Sequence, residues 1–75
     1  MRAEITYDPE ADAVYVPLSD TAPVEASEVA PGVVLDLDAD GRVVGVEILS
    51  ARTTLSPGAW SKAGPPQPKR SHAAE

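Results

Sequence analysis

The chain has 75 residues, with twelve acidic and six basic side chains, a net charge of −6 and no cysteine. A chain this short forms one small domain with a thin core. The lack of cysteine excludes disulfide bonds and thiolate metal sites. No apolar run approaches the roughly 18 residues that span a bilayer, and the first residues lack a signal-peptide apolar region. We therefore expect a cytoplasmic protein that does not bind membranes.

The charge is unevenly distributed along the chain. Residues 1–50 contain eleven acidic and two basic side chains, whereas residues 51–75 contain four basic and one acidic. An acidic body repels phosphate, so we predict that the folded part does not bind nucleic acid. The same charge suits a basic partner protein, mainly by steering its approach. The simpler interpretation is that the charge only keeps the protein soluble.

The first two strands are predicted from alternating apolar and polar residues. They span residues 2–7 and 13–19, and a polar loop joins them. In that loop Asp8 is suited to an Asx-turn, and Pro9 presets the backbone angle of the next turn position. Pro17 lies inside the second strand and has no N–H to donate, so we expect it to face an unpaired edge or a bulge.

The second half of the predicted sheet is a hairpin. Residues 20–31 form a looser connection, with one short extended piece near residues 25–29. The third strand spans residues 32–38 and the fourth spans residues 42–49. Asp40-Gly41 between them favours a tight hairpin, because these residues readily adopt the positive φ that such turns require.

A short helix and a tail complete the prediction. Ser50 is placed to cap one or two helical turns before Pro57 ends them. Residues 57–75 contain one large apolar side chain, Trp60, so they bury too little apolar area to offset the entropy of ordering. We therefore predict a domain at residues 1–56 and a disordered, Pro-rich basic tail at residues 57–75.

The expected fold is a β-rich (α+β) domain, a small antiparallel meander of four strands joined as consecutive hairpins, with one short C-terminal helix. Its predicted core comprises Ile5, Val14, Val16, Val33, Leu35, Leu37, Val44, Val46, Ile48 and Leu55. Three further apolar residues, Val34, Val43 and Leu49, alternate onto the opposite face. A face of this kind needs a cover, which the short helix around Leu55, a second copy or a partner could supply, and of these we predict a homodimer.

Residues 36–47 match the EF-hand calcium loop, with acids at loop positions 1, 3, 5 and 12 and Gly41 at position 6. Calcium binding there requires a helix that returns Glu47 to the ion. The segment after Gly41 is instead rich in β-branched residues, which disfavour a helix. In an extended strand Glu47 lies roughly 15–20 Å beyond Gly41. We therefore predict a hairpin and no specific metal site. A divalent-cation site in the loop of Asp36, Asp38 and Asp40 is the alternative.

Catalytic residues are not evident. Asp8, Glu10 and Asp12 cluster in one loop, and a small acid–base enzyme that uses Asp8, Asp12 or Asp36 is a further alternative. Exposed turn acids are the simpler interpretation, because nothing nearby suggests an apolar pocket that shifts a pKa. The single histidine, His72, lies in the predicted tail. We therefore predict a non-catalytic protein with no catalytic, cofactor-binding or metal-binding residues.

Three blocks of sequence resemble a known family. They are Ile5-Thr6-Tyr7-Asp8-Pro9-Glu10-Ala11-Asp12-Ala13-Val14-Tyr15-Val16, Pro31-Gly32-Val33-Val34-Leu35-Asp36-Leu37-Asp38 and Gly41-Arg42-Val43-Val44-Gly45-Val46-Glu47-Ile48-Leu49. In this order they resemble the small bacterial family called domain of unknown function 2283, over about residues 3–55. The resemblance implies a compact β-meander with a short C-terminal helix and no established activity. It also implies an antitoxin-like role, through association with small toxin families. No functional residues carry over, and Pro17 and residues 57–75 depart from the family pattern.

Overall fold

The computed structural model describes residues 4–66. These residues form one antiparallel sheet of five strands with the spatial order β1-β2-β5-β4-β3. A short helix, α1, follows the last strand. In chain order the elements are β1 Thr6–Asp8, β2 Ala13–Pro17, β3 Glu25–Ala30, β4 Val33–Leu37, β5 Val43–Ile48 and α1 Ala51–Thr54.

The predicted β-rich class is confirmed, but the predicted number and order of strands are wrong. The extended piece expected near residues 25–29 is a full strand, β3, so the sheet has five strands rather than four. The strands are also not a simple meander, because β2 pairs with β5 and the connection between β2 and β3 crosses to the far edge. Alternation along the chain identifies strands, but it does not specify which distant strand completes each ladder.

The position of Pro17 agrees with its chemistry. The N–H of Leu18 donates to the Val44 carbonyl at 2.9 Å, so the Pro17 nitrogen points away from β5. On the other side of β2, the ladder with β1 ends at the pair of Thr6 and Tyr15. The missing donor of Pro17 therefore costs the sheet no hydrogen bond.

One face of the sheet carries most of the apolar side chains, and we call it the core face. Cross-strand pairs share a face, and two rows define this one: Tyr7, Val14, Ile48 and Val33, then Val16, Val46, Leu35 and Ser27. Only Val14, Val44 and Ala51 are buried hydrophobic residues within residues 4–66. Ile5, predicted in the core, is 46% exposed because it precedes the first strand. The other predicted core residues are half-buried.

A β-bulge changes the predicted arrangement at the start of β5. Asp36 pairs with Gly45 and Leu37 pairs with Val43, so Val44 is the extra residue. The bulge brings Val43 to the side of Leu37, on the core face. Val34 pairs with Glu47 on the opposite face. The predicted apolar stripe of Val34, Val43 and Leu49 therefore does not exist as one surface, because simple alternation fails at the bulge.

Residues 57–66 also differ from the prediction, which placed them in a disordered tail. Gly64 lies beside β1, where it accepts a hydrogen bond from the Tyr7 N–H and donates one to the Ile5 carbonyl, both at 2.9 Å. The Trp60 ring stacks on Tyr7 with centroids 5.1 Å apart. The free backbone groups at the edge of β1 thus hydrogen-bond to this segment, an interaction that amino-acid composition does not predict. The rest of the predicted tail, residues 67–75 with His72, lies outside the described residues.

Candidate functional site

The acidic loop between β4 and β5 is a hydrogen-bonded turn. One carboxylate oxygen of Asp38 accepts hydrogen bonds from the N–H groups of Asp40 and Arg42, each at 2.9 Å. The Asp38 N–H donates to the Arg42 carbonyl at 2.9 Å. Gly41 has φ +82°, which glycine adopts without strain. Asp38 therefore closes the hairpin through an Asx-type turn.

This geometry differs from that of an EF-hand. The segment after Gly41 is strand β5, and Glu47 pairs with Tyr15 and Val34 in the middle of the sheet. Asp36 lies one row away, beside Gly45. Within residues 4–66 there is no group of three or more Asp, Glu, His or Cys side chains that could hold a metal ion. The acids of the loop are accounted for by turn chemistry and by strand alternation.

Substitution of Asp38 tests this assignment. We expect Asp38→Ala to lower the free energy of unfolding by about 1–2 kcal/mol, because two turn N–H groups lose their acceptor. Asp38→Asn keeps an acceptor oxygen and should cost less, and Asp40→Ala is a control for removal of one loop charge. Chemical denaturation measures these differences. Micromolar calcium should leave the amide shifts of Asp36, Asp38 and Glu47 unchanged, and a saturable shift would contradict the hairpin interpretation.

The loop between β1 and β2 does not bring its three acids to one point. A carboxylate oxygen of Asp8 accepts hydrogen bonds from the N–H groups of Glu10 at 3.0 Å and Ala11 at 3.4 Å. Glu10 is exposed. Asp12, with φ +54°, turns toward the other end of the chain. The paired-carboxylate arrangement that acid–base catalysis requires is therefore not supported by this loop.

Asp12 instead joins the β1–β2 hairpin to helix α1. Its carboxylate accepts a hydrogen bond from the Tyr7 hydroxyl at 2.8 Å. Both carboxylate oxygens also lie 3.3 Å from the backbone nitrogen of Arg52, whose N–H donates to them. Its carbonyl accepts a hydrogen bond from the Ala51 N–H at 2.9 Å. Ser50, the predicted cap, makes no side-chain capping bond. Asp12 thus satisfies the free N–H groups at the start of α1. We call this set of contacts the Asp12 junction.

The Asp12 junction affects the acidity of Tyr7. The hydrogen bond to Asp12 raises the pKa of the Tyr7 hydroxyl above its ordinary value of 10.0, with smaller contributions from burial and from the Asp12 charge. Arg52 opposes this effect. The neutral phenol is the form that donates to Asp12, so the folded protein holds this proton more tightly than the unfolded chain does.

The raised pKa predicts a loss of stability at alkaline pH. Because the folded-state pKa exceeds the unfolded value, the contribution of this proton is complete below pH 10.0 and is lost as pH rises through the folded-state pKa. Thermal unfolding followed by Trp60 fluorescence should show this loss. Tyr7→Phe should remove the Tyr7 part of the pH dependence, whereas Tyr15→Phe should leave that part in place. An identical alkaline profile in Tyr7→Phe would contradict the assignment.

The opposite side of the sheet presents carboxylates around an aromatic ring. One cross-strand row contains Tyr15, Glu47, Val34 and Glu28, and the next row contains Asp36. We call these five residues the acidic face. Tyr15, Val34, Asp36 and Glu47 are half-buried, and Glu28 is exposed. Among residues 4–66 the only ion pair is between Arg52 and Asp12, so no described cation neutralises Asp36 or Glu47.

The Tyr15 ring lies over Gly45. A Cβ added at Gly45 would lie 2.6 Å from the ring carbon that bears the hydroxyl, a distance that real side chains do not tolerate. Glycine in the middle of a strand therefore permits the ring to lie across the sheet beside Asp36. A glycine inside an apolar strand is a recognised signal of close approach. It was the one sequence signal that could have revealed this arrangement.

Comparison with known proteins adds a family but no activity. A family model described as "Protein of unknown function (DUF2283)" matches residues 4–52. Neither a curated protein nor a solved structure gives a match. The described part of the chain has no helix long and apolar enough to cross a membrane. The matched range covers all five strands and the start of α1. The chain belongs to the DUF2283 family of proteins of unknown function.

Proposed function

We propose that this protein is a non-catalytic interaction module whose acidic face binds a basic partner protein. The observation that carries the proposal is the position of Asp36 and Glu47, two half-buried carboxylates on central strands without a cationic partner in residues 4–66. Like charges on one surface cost free energy when they are left uncompensated. A Lys or Arg side chain from a partner would relieve this cost.

The arrangement also provides a flat contact surface. Neighbouring strands are about 4.8 Å apart, so one guanidinium group can contact carboxylates on adjacent strands. The Tyr15 ring over Gly45 adds an aromatic surface of the kind that attracts cations. Because β-strand pairing holds these residues in place, binding requires little ordering of the surface.

An antitoxin-like role is the narrower form of this proposal. It is supported by the resemblance of the family to the partners of small toxin families, and by the net charge of the described residues. Residues 4–66 contain eleven acidic and three basic side chains. A surface of this charge would bind a basic toxin and cover residues that the toxin needs for its activity.

Charge reversal tests the proposal. The partner to test first is a basic protein encoded beside this gene, with both proteins purified and mixed. We expect a 1:1 complex that weakens with added salt. The double substitution Asp36→Lys with Glu47→Lys should lower the affinity at least tenfold. The control Glu10→Lys with Asp20→Lys makes the same charge change at exposed turn residues, and it should have a smaller effect. If both double substitutions lower the affinity equally, binding depends on the net charge of the protein and not on the acidic face.

Two other functions receive less support. An acid–base enzyme would use Asp8, Asp12 or Asp36, but Asp8 and Asp12 already accept hydrogen bonds from backbone N–H groups. A cation site in the loop of Asp36, Asp38 and Asp40 would have to break the turn bonds that Asp38 accepts. The calcium titration described above distinguishes the cation site from the interaction module.

A further inference from the structure

The core face is covered at one end only. Helix α1 has four residues, and the Trp60 ring lies on Tyr7, which belongs to the row next to the helix. At the other end of the sheet Val44 is buried and Leu37 is half-buried, but three apolar side chains beside them are exposed. Leu18 is 59% exposed, Val43 is 41% exposed and Val24 is 67% exposed.

These exposed residues lie close together. The Leu18 N–H donates to the Val44 carbonyl, which continues the β2–β5 ladder by one residue. Val43 pairs with Leu37, and the Val24 N–H donates to the Leu37 carbonyl at 2.9 Å. Leu18 follows β2 and Val24 precedes β3, so these residues line one end of the sheet as an apolar border. We call it, together with the half-buried Val16, Leu35 and Val46 beside it, the open apolar surface.

The segments after α1 are not placed or composed to cover this surface. Residues 57–64 lead to the edge of β1, which is the opposite edge of the sheet from β3. Residues 67–75 read Gln-Pro-Lys-Arg-Ser-His-Ala-Ala-Glu and contain no large aliphatic or aromatic side chain. A segment of this composition gains little from burial against valine and leucine. Neither of these two segments is therefore suited to cover the open apolar surface.

We propose that the open apolar surface is the interface of a homodimer, in which two copies pack core face against core face. A sheet with one apolar face normally requires a second layer, and an aligned pair of sheets is a common solution. Within residues 4–66 no large side chain is fully buried, as expected for a protein that lacks this layer when alone.

The distribution of charge favours a second copy over a basic partner at this surface. The carboxylates of Glu28, Asp36 and Glu47 lie on the opposite face, so face-to-face packing keeps the acidic groups of the two copies apart. Of the residues in the core-face ladders, only Glu25, on the edge strand β3, is charged. Apart from Glu25 at its edge, this apolar surface offers a basic partner no charge to pair with, whereas it is complementary to itself.

The size of the sheet sets the expected affinity. One face of five short strands buries less than the roughly 1,600 Å² of a standard interface, so we expect a dissociation constant in the micromolar range. In sedimentation, the average mass should rise from 7.8 kDa at low micromolar concentration toward twice that value at several hundred micromolar. A monomer at all these concentrations would overturn the proposal.

Three variants locate the interface. Leu18→Asp and Val24→Asp add a charge at the open apolar surface and should raise the dissociation constant of the dimer at least tenfold. Both residues are more than half exposed in the monomer. The thermal unfolding of the two variants at low protein concentration should therefore be nearly the same as that of the unsubstituted protein. Val29→Asp is the matched control, since Val29 is 56% exposed but is the extra residue of a bulge on edge strand β3. Equal weakening by all three variants would indicate charge repulsion alone.

Contacts between the two copies can be measured directly by NMR on a sample that mixes isotope-labelled and unlabelled protein. Intermolecular contacts between methyl groups of Leu18, Leu37 and Val46 are expected in the dimer. A dimer whose intermolecular contacts involve Val34 instead would overturn the proposal and place the interface on the acidic face. The charge reversal of Asp36 and Glu47 should leave self-association intact, which separates this proposal from partner binding.

Discussion

Asp12→Ala is expected to lower the free energy of unfolding by about 3 kcal/mol. The substitution removes the acceptor of the Tyr7 hydroxyl and of the Arg52 N–H, and it places alanine at φ +54°. The carboxylate joins residues 40 positions apart in sequence, so its loss detaches the start of α1 from the hairpin. Chemical denaturation followed by Trp60 fluorescence measures the effect.

Two further substitutions at the same position separate the causes. Asp12→Asn keeps an acceptor oxygen and a residue type that tolerates positive φ, so it should lose much less stability. Asp12→Gly removes the acceptor but relieves the backbone, and it should be about 1 kcal/mol more stable than the alanine variant. The ion pair with Arg52 contributes little, since it measures 3.9 Å and the Arg52 side chain is 69% exposed. A small loss in Asp12→Ala would contradict the Asp12 junction.

Gly32→Ala is expected to lower the free energy of unfolding by about 2–3 kcal/mol. Gly32 lies in the β3–β4 turn with φ +79°, where a side chain strains the backbone. An added Cβ would also lie 2.8 Å from the Thr54 hydroxyl oxygen and 3.0 Å from the Leu49 carbonyl. The turn therefore cannot accept a methyl group unless α1 moves. Thermal and chemical unfolding both measure this loss.

The chain offers matched controls for backbone strain. Gly41 and Gly58 have φ +82°, and a Cβ at either position meets no atom within 4 Å. Gly41→Ala and Gly58→Ala should therefore cost about 1 kcal/mol each, from strain alone. Combining Gly32→Ala with Thr54→Ala should recover part of the difference. If the three glycine variants lose equal stability, α1 does not pack closely against the β3–β4 turn.

The sequence by itself determined the features that depend on near neighbours. Alternation predicted strands that include β2, β4 and β5, and Asp40-Gly41 predicted the hairpin between the last two. The same pattern distinguished this hairpin from a calcium loop, because β-branched residues after Gly41 favour a strand. These interactions join residues a few positions apart, so composition and spacing carry the information. The apolar side of Val14, Val16, Leu35 and Val46 was predictable for the same reason.

Only the tertiary structure decided the rest. Three features join residues that are distant in sequence. They are the place of β5 between β2 and β4, the cap that Asp12 supplies to α1, and the stacking of Trp60 on Tyr7. Such contacts leave no periodic pattern in the chain. The bulge at Val44 reverses the expected side of Val43, because one extra residue shifts the alternation. The two surfaces proposed here for partner binding and self-association both depend on that register, which strand pairing sets and local sequence does not.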